Sequence, residues 1–175
     1  MSVYGKYTLS KQEIEAVVPA GEGERWSLYD EWHDPFEHKN GPILCRDLEG
    51  DAASVTTPLE FGFRSQDDHC NVAGAVHGGW LLTFADVCMA NSALRCLTLA
   101  SPALQPGQGT PSLCTISLHM DFADRVGPGK WVTCAPEVYK RTKTHLFVRS
   151  LGKQGDRVLF SASASYRSFL IQAKL

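Results

Sequence analysis

The sequence predicts an α+β fold in which a curved antiparallel β-sheet wraps around one long central α-helix, after an N-terminal helical extension. Two observations carry this prediction. Six segments alternate apolar and polar residues with the period of two that is typical of strands. Between the second and third of these segments, residues 79–99 are apolar on nearly every helical face, and such a helix belongs inside a core. A sheet that curves around this helix would bury it, which predicts the order β-β-α-β-β-β-β.

The six strands are expected at residues 43–48, 59–65, 112–122, 131–140, 145–152 and 157–167. Turn signals such as GPGK and GKQGD mark some of their boundaries. We expect the last two strands to form a hairpin around Gly152–Asp156. The long helix is expected to end before the sequence SPALQPGQG.

Residues 1–40 are expected to form an extension to a single domain at residues 41–175. Ser10 followed by Glu13 is a capping box, which predicts a short helix over Lys11–Val18. Four aromatic residues then recur about three or four positions apart, namely Trp26, Tyr29, Trp32 and Phe36. This spacing is typical of a surface helix or turn that packs one face against the core or a subunit neighbour, and a substrate lid is the alternative.

The composition excludes several classes of function. A hydrophobic content of 43% and a formal net charge of -2 are ordinary for a globular protein, and no basic excess favours binding to nucleic acid or an anionic membrane. No apolar run approaches the roughly 18 residues of a membrane span, and the first residues lack the apolar core of a signal peptide. We therefore expect a cytoplasmic protein whose six scattered cysteines are reduced.

Residues that could take part in catalysis or ligand binding cluster just before the long helix. Gly78 and Gly79 are expected to precede it, where free N–H groups and the positive end of the helix dipole could hold a carbonyl oxygen. His77 could donate to the same oxygen, and Asn71 could hold a carbonyl or a water. Each residue also has a purely structural interpretation, because a Gly-Gly pair, a histidine and an asparagine are all common in turns.

Asp86 lies two turns inside the apolar helix, where an ionised carboxylate is costly unless it is paired, hydrated or used in chemistry. A carboxylate in dry surroundings holds its proton more tightly, which suits a general base for water or a nucleophile toward an acyl carbon. The structural alternative is a hydrogen bond between Asp86 and a neighbouring helix or strand.

The spacing between Gly78 and Asp86 adds a geometric constraint. Eight residues of one helix separate them by roughly 12 Å along the axis, so both cannot contact one carbonyl group. If Gly78 polarises the carbonyl and Asp86 attacks it or activates water, the two residues must come from two chains of a dimer with antiparallel helices.

The sequence NVAGAVHGGWLLTFAD at residues 71–86 resembles the N-x-x-G-x-x-H-G-G-x(6)-D signature of hotdog-fold acyl-CoA thioesterases of the phenylacetate-degradation (PaaI-like) group. TISLHMDFADRVGPGKWV is similar to the strand and turn after the helix in that group, and GDRVLFSASASYR to its last strand. The resemblance covers about residues 42–168. It implies hydrolysis of an acyl-CoA to the free acid and CoA by dimers or dimers of dimers.

The resemblance also implies roles for individual residues. Asp86 matches the catalytic carboxylate and Gly78 the oxyanion-hole amide. Asn71 and His77 match the residues that hold the thioester carbonyl. Thr115 falls where the family often has a hydroxyl residue that positions the water, from the same subunit as Asp86.

Substrate contacts are expected at Gly79, at Trp80 and, for the CoA phosphates, at Arg141 and Lys143. Trp80 is bulky for a position beside a glycine pair, and with Phe84 and the N-terminal aromatic residues it could line a pocket for an aromatic or medium-chain acyl group. No cofactor is expected beyond CoA as part of the substrate, and no metal.

The main alternative to hydrolysis is a hotdog protein that binds acyl-CoA without hydrolysing it. A dehydratase is less favoured because its usual Asp–His pattern is missing. His33 and His38 could suggest a metal pair, but no ligand cluster accompanies them. Cys70 beside His69 is a poor nucleophile–base pair, because adjacent residues on a strand point to opposite faces.

Overall fold

The computed structural model describes residues 8–28, 41–48, 59–99 and 110–171. Helix α1 spans Lys11–Val17 and helix α2 spans Gly78–Leu99, with short 3₁₀ turns at Gly23–Arg25 and Asp67–His69. The strands are β1 Ser27–Leu28, β2 Leu44–Asp47, β3 Leu59–Arg64, β4 Thr110–Phe122, β5 Trp131–Cys134, β6 Glu137–Arg141, β7 His145–Gln154 and β8 Arg157–Ile171.

The described strands form one antiparallel sheet in the order β1-β2-β3-β5-β7-β8-β4, and β6 also pairs with β7. One face of this sheet packs against α2, and the two together bury a single large apolar cluster. The predicted fold of an antiparallel sheet around one long helix is therefore confirmed.

The observed order has one strand more than predicted before α2, namely β1, and several strand boundaries differ, two of them for a clear local reason. The segment expected as one strand at 131–140 is broken at Ala135–Pro136 into β5 and β6, because proline has no N–H for a ladder hydrogen bond. The hairpin between β7 and β8 turns at two residues, Gly155 and Asp156, rather than around 152–156. Gly155 has a φ of 57°, a conformation that glycine adopts without steric cost.

The N-terminal extension packs onto the sheet as a separate small cluster. The Ser10–Glu13 capping box is present, which confirms the predicted cap of α1. The Trp26 side chain is buried beside Leu44 and meets Trp131 edge-on, with ring centroids 5.0 Å apart. The predicted boundary after residue 40 adjoins the undescribed stretch 29–40 and stays a prediction.

The aromatic segment does not begin as the helix or turn that its spacing predicted. Directly after Trp26, the chain forms strand β1, which pairs with β2. The sheet ladder therefore decides the local conformation at Ser27 and Leu28, while the predicted packing of the aromatic face is present at Trp26, which is buried. Tyr29, Trp32 and Phe36 lie outside the described residues.

Helix α2 has a buried side and a half-exposed side. Ten of its residues are buried, among them Phe84, Cys88 and Met89 with no exposed surface. The opposite side carries a stripe that is partly or fully exposed in the single chain: Gly79, Thr83, Asp86, Val87, Ala90 and Leu94. The helix is therefore apolar all round, as predicted, but this sheet covers only part of it.

None of the described helices is long and apolar enough to cross a membrane.

Candidate active site

His77 caps the start of α2 with both its main chain and its ring. Its carbonyl oxygen accepts from the N–H groups of Trp80 and Leu81, and its Nδ1 accepts from the N–H of Gly79 at 2.9 Å. A ring that accepts at Nδ1 carries its proton on Nε2 when neutral, so Nε2 remains able to donate. The cap places Gly78 and Gly79 inside the first turn rather than before the helix.

The Gly78 N–H donates to no other group among the described residues. It is one of the amides at a helix start that have no partner within the helix, at the positive end of the helix dipole. The Phe122 ring lies directly over Gly78, and a Cβ added there would be 3.0 Å from Phe122 Cζ. A side chain at this position would have to push the Phe122 ring aside by a few tenths of an ångström.

Asn71 organises the turn that leads to the helix. Its Oδ1 accepts from the N–H groups of Ala73 and Ala75 at 2.9 and 3.4 Å, and its main chain exchanges hydrogen bonds with Gly74 and Ala75. The side chain is exposed, and its Nδ2 donates to no described residue. Asn71 is thus a turn residue whose amide nitrogen is still available to a ligand.

Asp86 is held by two hydroxyl groups from the sheet. Thr115 Oγ1 on β4 donates to Oδ1 at 3.2 Å and lies 3.4 Å from Oδ2, and Tyr166 on β8 donates to Oδ1 at 3.0 Å. Asp86 itself is half-buried on the exposed stripe of α2. The carboxylate is therefore fixed in position while one side of it faces outward.

The resemblance predicted that Thr115 and Asp86 of one subunit act together, but nothing in it predicted Tyr166. Tyr166 is fully buried, and burial together with the Asp86 carboxylate raises the pKa of its hydroxyl well above the ordinary tyrosine value. A signal was present in the sequence. Tyr166 continues the alternating buried positions Ala162 and Ala164, and a tyrosine on a buried strand face needs a partner for its hydroxyl.

The structure places Trp80 and Phe84 in the packed core rather than at an open acyl pocket. Their side chains are 8% and 0% exposed, and Trp80 stacks on the His69 ring with centroids 4.6 Å apart. Positions 80 and 84 lie one helical turn apart on the sheet side of α2, whereas the half-exposed side carries Thr83 and Val87.

The side chains of Arg141 and Lys143 are exposed and make no hydrogen bond or ion pair with another described residue. Arg141 lies on the same side of the sheet as Thr115, because consecutive register pairs join Thr115 to Tyr166, Tyr166 to Leu146 and Leu146 to Arg141. Three strand spacings put Arg141 about 14 Å from Thr115.

The candidate site residues thus fall into two groups in one chain. Asn71, His77 and Gly78 surround the start of α2, and Asp86 with Thr115 lies two turns further along. The described part of the chain holds no cluster of three side chains suited to a metal, and His33 and His38 lie outside it.

Comparison with known proteins places the chain in a family. Residues 73–163 match the sequence model of the Thioesterase superfamily. A Pseudomonas aeruginosa protein named as a candidate esterase is 27% identical over 126 residues, which cover 72% of this chain and 82% of that protein.

Two solved structures show the shared fold. A mutant of the phenylacetic acid degradation protein PaaI from Thermus thermophilus superposes with a TM-score of 0.57 and 18% identity, covering 77% of this chain and 98% of that one. A hypothetical thioesterase of Streptococcus pneumoniae, solved with coenzyme A, gives a TM-score of 0.55 and 14% identity, covering 66% and 84%. The fold is the hotdog fold that the sequence resemblance implied.

Proposed function

Because the chain belongs to the Thioesterase superfamily, we propose that it hydrolyses an acyl-CoA thioester to the free acid and CoA. The observation that carries this proposal is the Asp86 carboxylate, fixed by Thr115 and Tyr166 on the half-exposed side of an otherwise apolar helix. A positioned carboxylate that faces outward from apolar surroundings is what a general base or nucleophile requires.

Two routes use the same groups. Asp86 either takes a proton from water as the water adds to the acyl carbon, or attacks that carbon itself to form an anhydride that water then cleaves. In both routes the carbonyl oxygen gains negative charge, and the Gly78 N–H at the helix start stabilises it. The CoA sulfur leaves as thiolate and takes up a proton.

The groups for this chemistry come from two chains of a homodimer. The roughly 12 Å between Gly78 and Asp86 along α2 prevents one chain from supplying both. Strand β4 offers the surface for pairing, because among the described strands it pairs only with β8 and leaves one 13-residue edge open. Apolar side chains near this edge are more than half exposed, including Ile116 and Phe122 at 57% and 56%.

Arg141 and Lys143 fit contacts to the phosphates of CoA. Both are exposed and unpaired among the described residues, and Arg141 lies about 14 Å across the sheet from Thr115. A cation at that distance lies apart from the thioester. In CoA, the long pantetheine arm likewise separates the phosphates from the thioester. The coenzyme A in the Streptococcus pneumoniae structure supports a CoA ligand for the fold.

The test is a panel of acyl-CoAs of different chain length and head group, followed by thiol release with a chromogenic disulfide. Cys114 is an exposed free thiol, so the assay is run in a Cys114→Ser chain or with the protein alone as baseline. Saturable CoA release that depends on Asp86 supports hydrolysis. Acyl-CoA binding without release from any substrate would instead make the protein a binding module.

The shared site is tested by mixing chains. Asn71→Ala and Asp86→Asn chains are each expected to be nearly inactive, and exchange of subunits pairs one site carrying both lesions with one carrying neither. With random pairing of equal amounts, half the dimers are mixed and about a quarter of the wild-type activity should return. No recovery, despite exchange shown by mass spectrometry of tagged chains, would mean that each chain builds its own site.

A further inference from the structure

The Tyr166 hydroxyl contacts two different atoms of Asp86. Its hydroxyl lies 3.0 Å from Asp86 Oδ1 and 3.2 Å from the Asp86 main-chain oxygen, and the tyrosine side chain is fully buried. The contact joins helix α2 to the last strand, β8.

A bulge in β4 brings Thr115 to the same carboxylate. Leu118 and Met120 pair with the buried Ala164 and Ala162, so strict alternation would direct Ile116 toward α2 and Thr115 away from it. The register shift between Thr115 and Ser117 reverses this pattern. Thr115 then pairs with Tyr166 and faces Asp86, and Ile116 is left 57% exposed.

The two hydroxyls distinguish the two carboxylate oxygens. Oδ1 receives the shorter bonds, at 3.0 Å from Tyr166 and 3.2 Å from Thr115, while Oδ2 has only Thr115 at 3.4 Å. The lone pairs of Oδ1 are therefore largely occupied by protein donors. Oδ2 is left as the oxygen that accepts a proton or attacks carbon.

Tyr166 also has an acceptor in both states of the reaction. While Asp86 is ionised, the hydroxyl donates to the charged Oδ1. Once Oδ2 carries a proton, Oδ1 is a weaker acceptor, and the hydroxyl can turn to the Asp86 main-chain oxygen at 3.2 Å. The raised pKa of Tyr166 keeps this proton in place throughout.

From these contacts we propose that Tyr166 is the positioning residue for Asp86: it holds Oδ1 and leaves Oδ2 as the reacting oxygen. This inference rests on the proposed thioesterase function. It gives the last strand a role in the chemical step without contact to the substrate, because Tyr166 acts only through Asp86.

The decisive variant is Tyr166→Phe, which keeps the buried ring and removes the hydroxyl. With the acyl-CoA that the wild type hydrolyses fastest, kcat should fall by about tenfold or more while KM stays within about twofold. Tyr139→Phe, which removes an exposed hydroxyl on β6, should match the wild type.

A double variant tests whether Tyr166 works through Asp86. In an Asp86→Asn chain, adding Tyr166→Phe should cause no further loss of activity, because the group being positioned is already gone. A full additional tenfold loss would show that Tyr166 acts separately from Asp86 and would overturn the proposal.

Carboxyl NMR keeps the inference separate from the proposed function. The Asp86 ¹³Cγ resonance, identified by its absence in Asp86→Asn, should change its chemical shift at neutral pH in Tyr166→Phe, because the hydrogen bond to Oδ1 is lost. If Tyr166→Phe fails to fold, 3-fluorotyrosine labelling of the wild type strengthens the donor and should move the same resonance. An unmoved resonance overturns the role of Tyr166, whereas absence of acyl-CoA hydrolysis by the wild type overturns the proposed function.

Discussion

The two halves of the candidate site are built by different kinds of contact. Around the start of α2, the hydrogen bonds of the Asn71 and His77 side chains join residues that are close in sequence: Asn71 to Ala73 and Ala75, and His77 to Gly79. At Asp86, the partners are Thr115 and Tyr166, which lie 29 and 80 positions away on two strands. The first half is a local turn, and the second exists only in the folded chain.

This difference has a functional consequence. The side-chain bonds of Asn71 and His77 need only neighbouring residues, and one main-chain bond, from the Val76 N–H to the Val126 oxygen, ties this turn to a distant segment. The carboxylate half depends on the register of β4 against β8, and a slip of one residue would point Thr115 away from Asp86. We therefore expect substitutions in the two halves to affect stability and catalysis differently.

The largest effect is expected at Asp86, in the carboxylate half of the site, whose partners lie on distant strands. Asp86→Asn keeps the shape and an oxygen that accepts from Thr115 and Tyr166, but removes the base or nucleophile. The value of kcat should fall by about 100-fold or more while acyl-CoA binding and the melting temperature survive. Steady-state kinetics and calorimetric binding check this, and unchanged turnover would end the catalytic assignment of Asp86.

The local half should show the next largest effect. Asn71→Ala should lower kcat/KM by an amount equivalent to about 1–3 kcal/mol of transition-state stabilisation. Because Asn71 Oδ1 also accepts two turn amides, this variant should lose some thermal stability as well.

Asn71→Asp separates the two roles of this side chain. Aspartate keeps the oxygen that accepts from Ala73 and Ala75 but lacks the Nδ2 donor, so kcat/KM should fall while the melting temperature stays near the wild-type value. If Asn71→Asp retains full activity, Asn71 serves the turn alone.

A smaller effect is expected at Thr115, whose bonds to Asp86 are longer. Thr115→Val keeps the volume and removes the hydroxyl, so kcat should fall by about fivefold. Thr115→Ser keeps the hydroxyl and should remain close to the wild type. Equal losses in both variants would indicate that the methyl group, not the hydroxyl, supports the site.

The smallest effect concerns alkaline stability. The folded state raises the pKa of Tyr166, whereas an unfolded tyrosine ionises near pH 10, so the unfolded state loses its proton first. Above about pH 10 this group lowers the free energy of unfolding by at most about 1.4 kcal/mol per pH unit. Urea titrations from pH 9 to 11 should therefore show a shallower alkaline loss in Tyr166→Phe, and parallel curves would contradict the buried donor.

The sequence alone determined the order of the main strands and of the long helix, and it located the half of the site around Asn71, His77 and Gly78. Alternation with a period of two located the main strands, uniform apolarity located α2, and the Ser10–Glu13 pair located the cap of α1. These features could be predicted because each depends on residues within a few positions of one another. The motif from Asn71 to Asp86 is likewise local, so its residues were found together.

Only the tertiary structure decided what surrounds Asp86 and Trp80. The bulge at Ile116 reverses the pattern of β4, and no local signal marks where the extra residue lies. Tyr166 reaches Asp86 because β8 pairs with β4 and crosses α2, which is a matter of strand register. Trp80 is buried because the sheet covers its side of α2, although the helix is nearly as apolar on the other side. Contacts between distant segments depend on pairing and packing across the whole chain, which a short window of sequence does not contain.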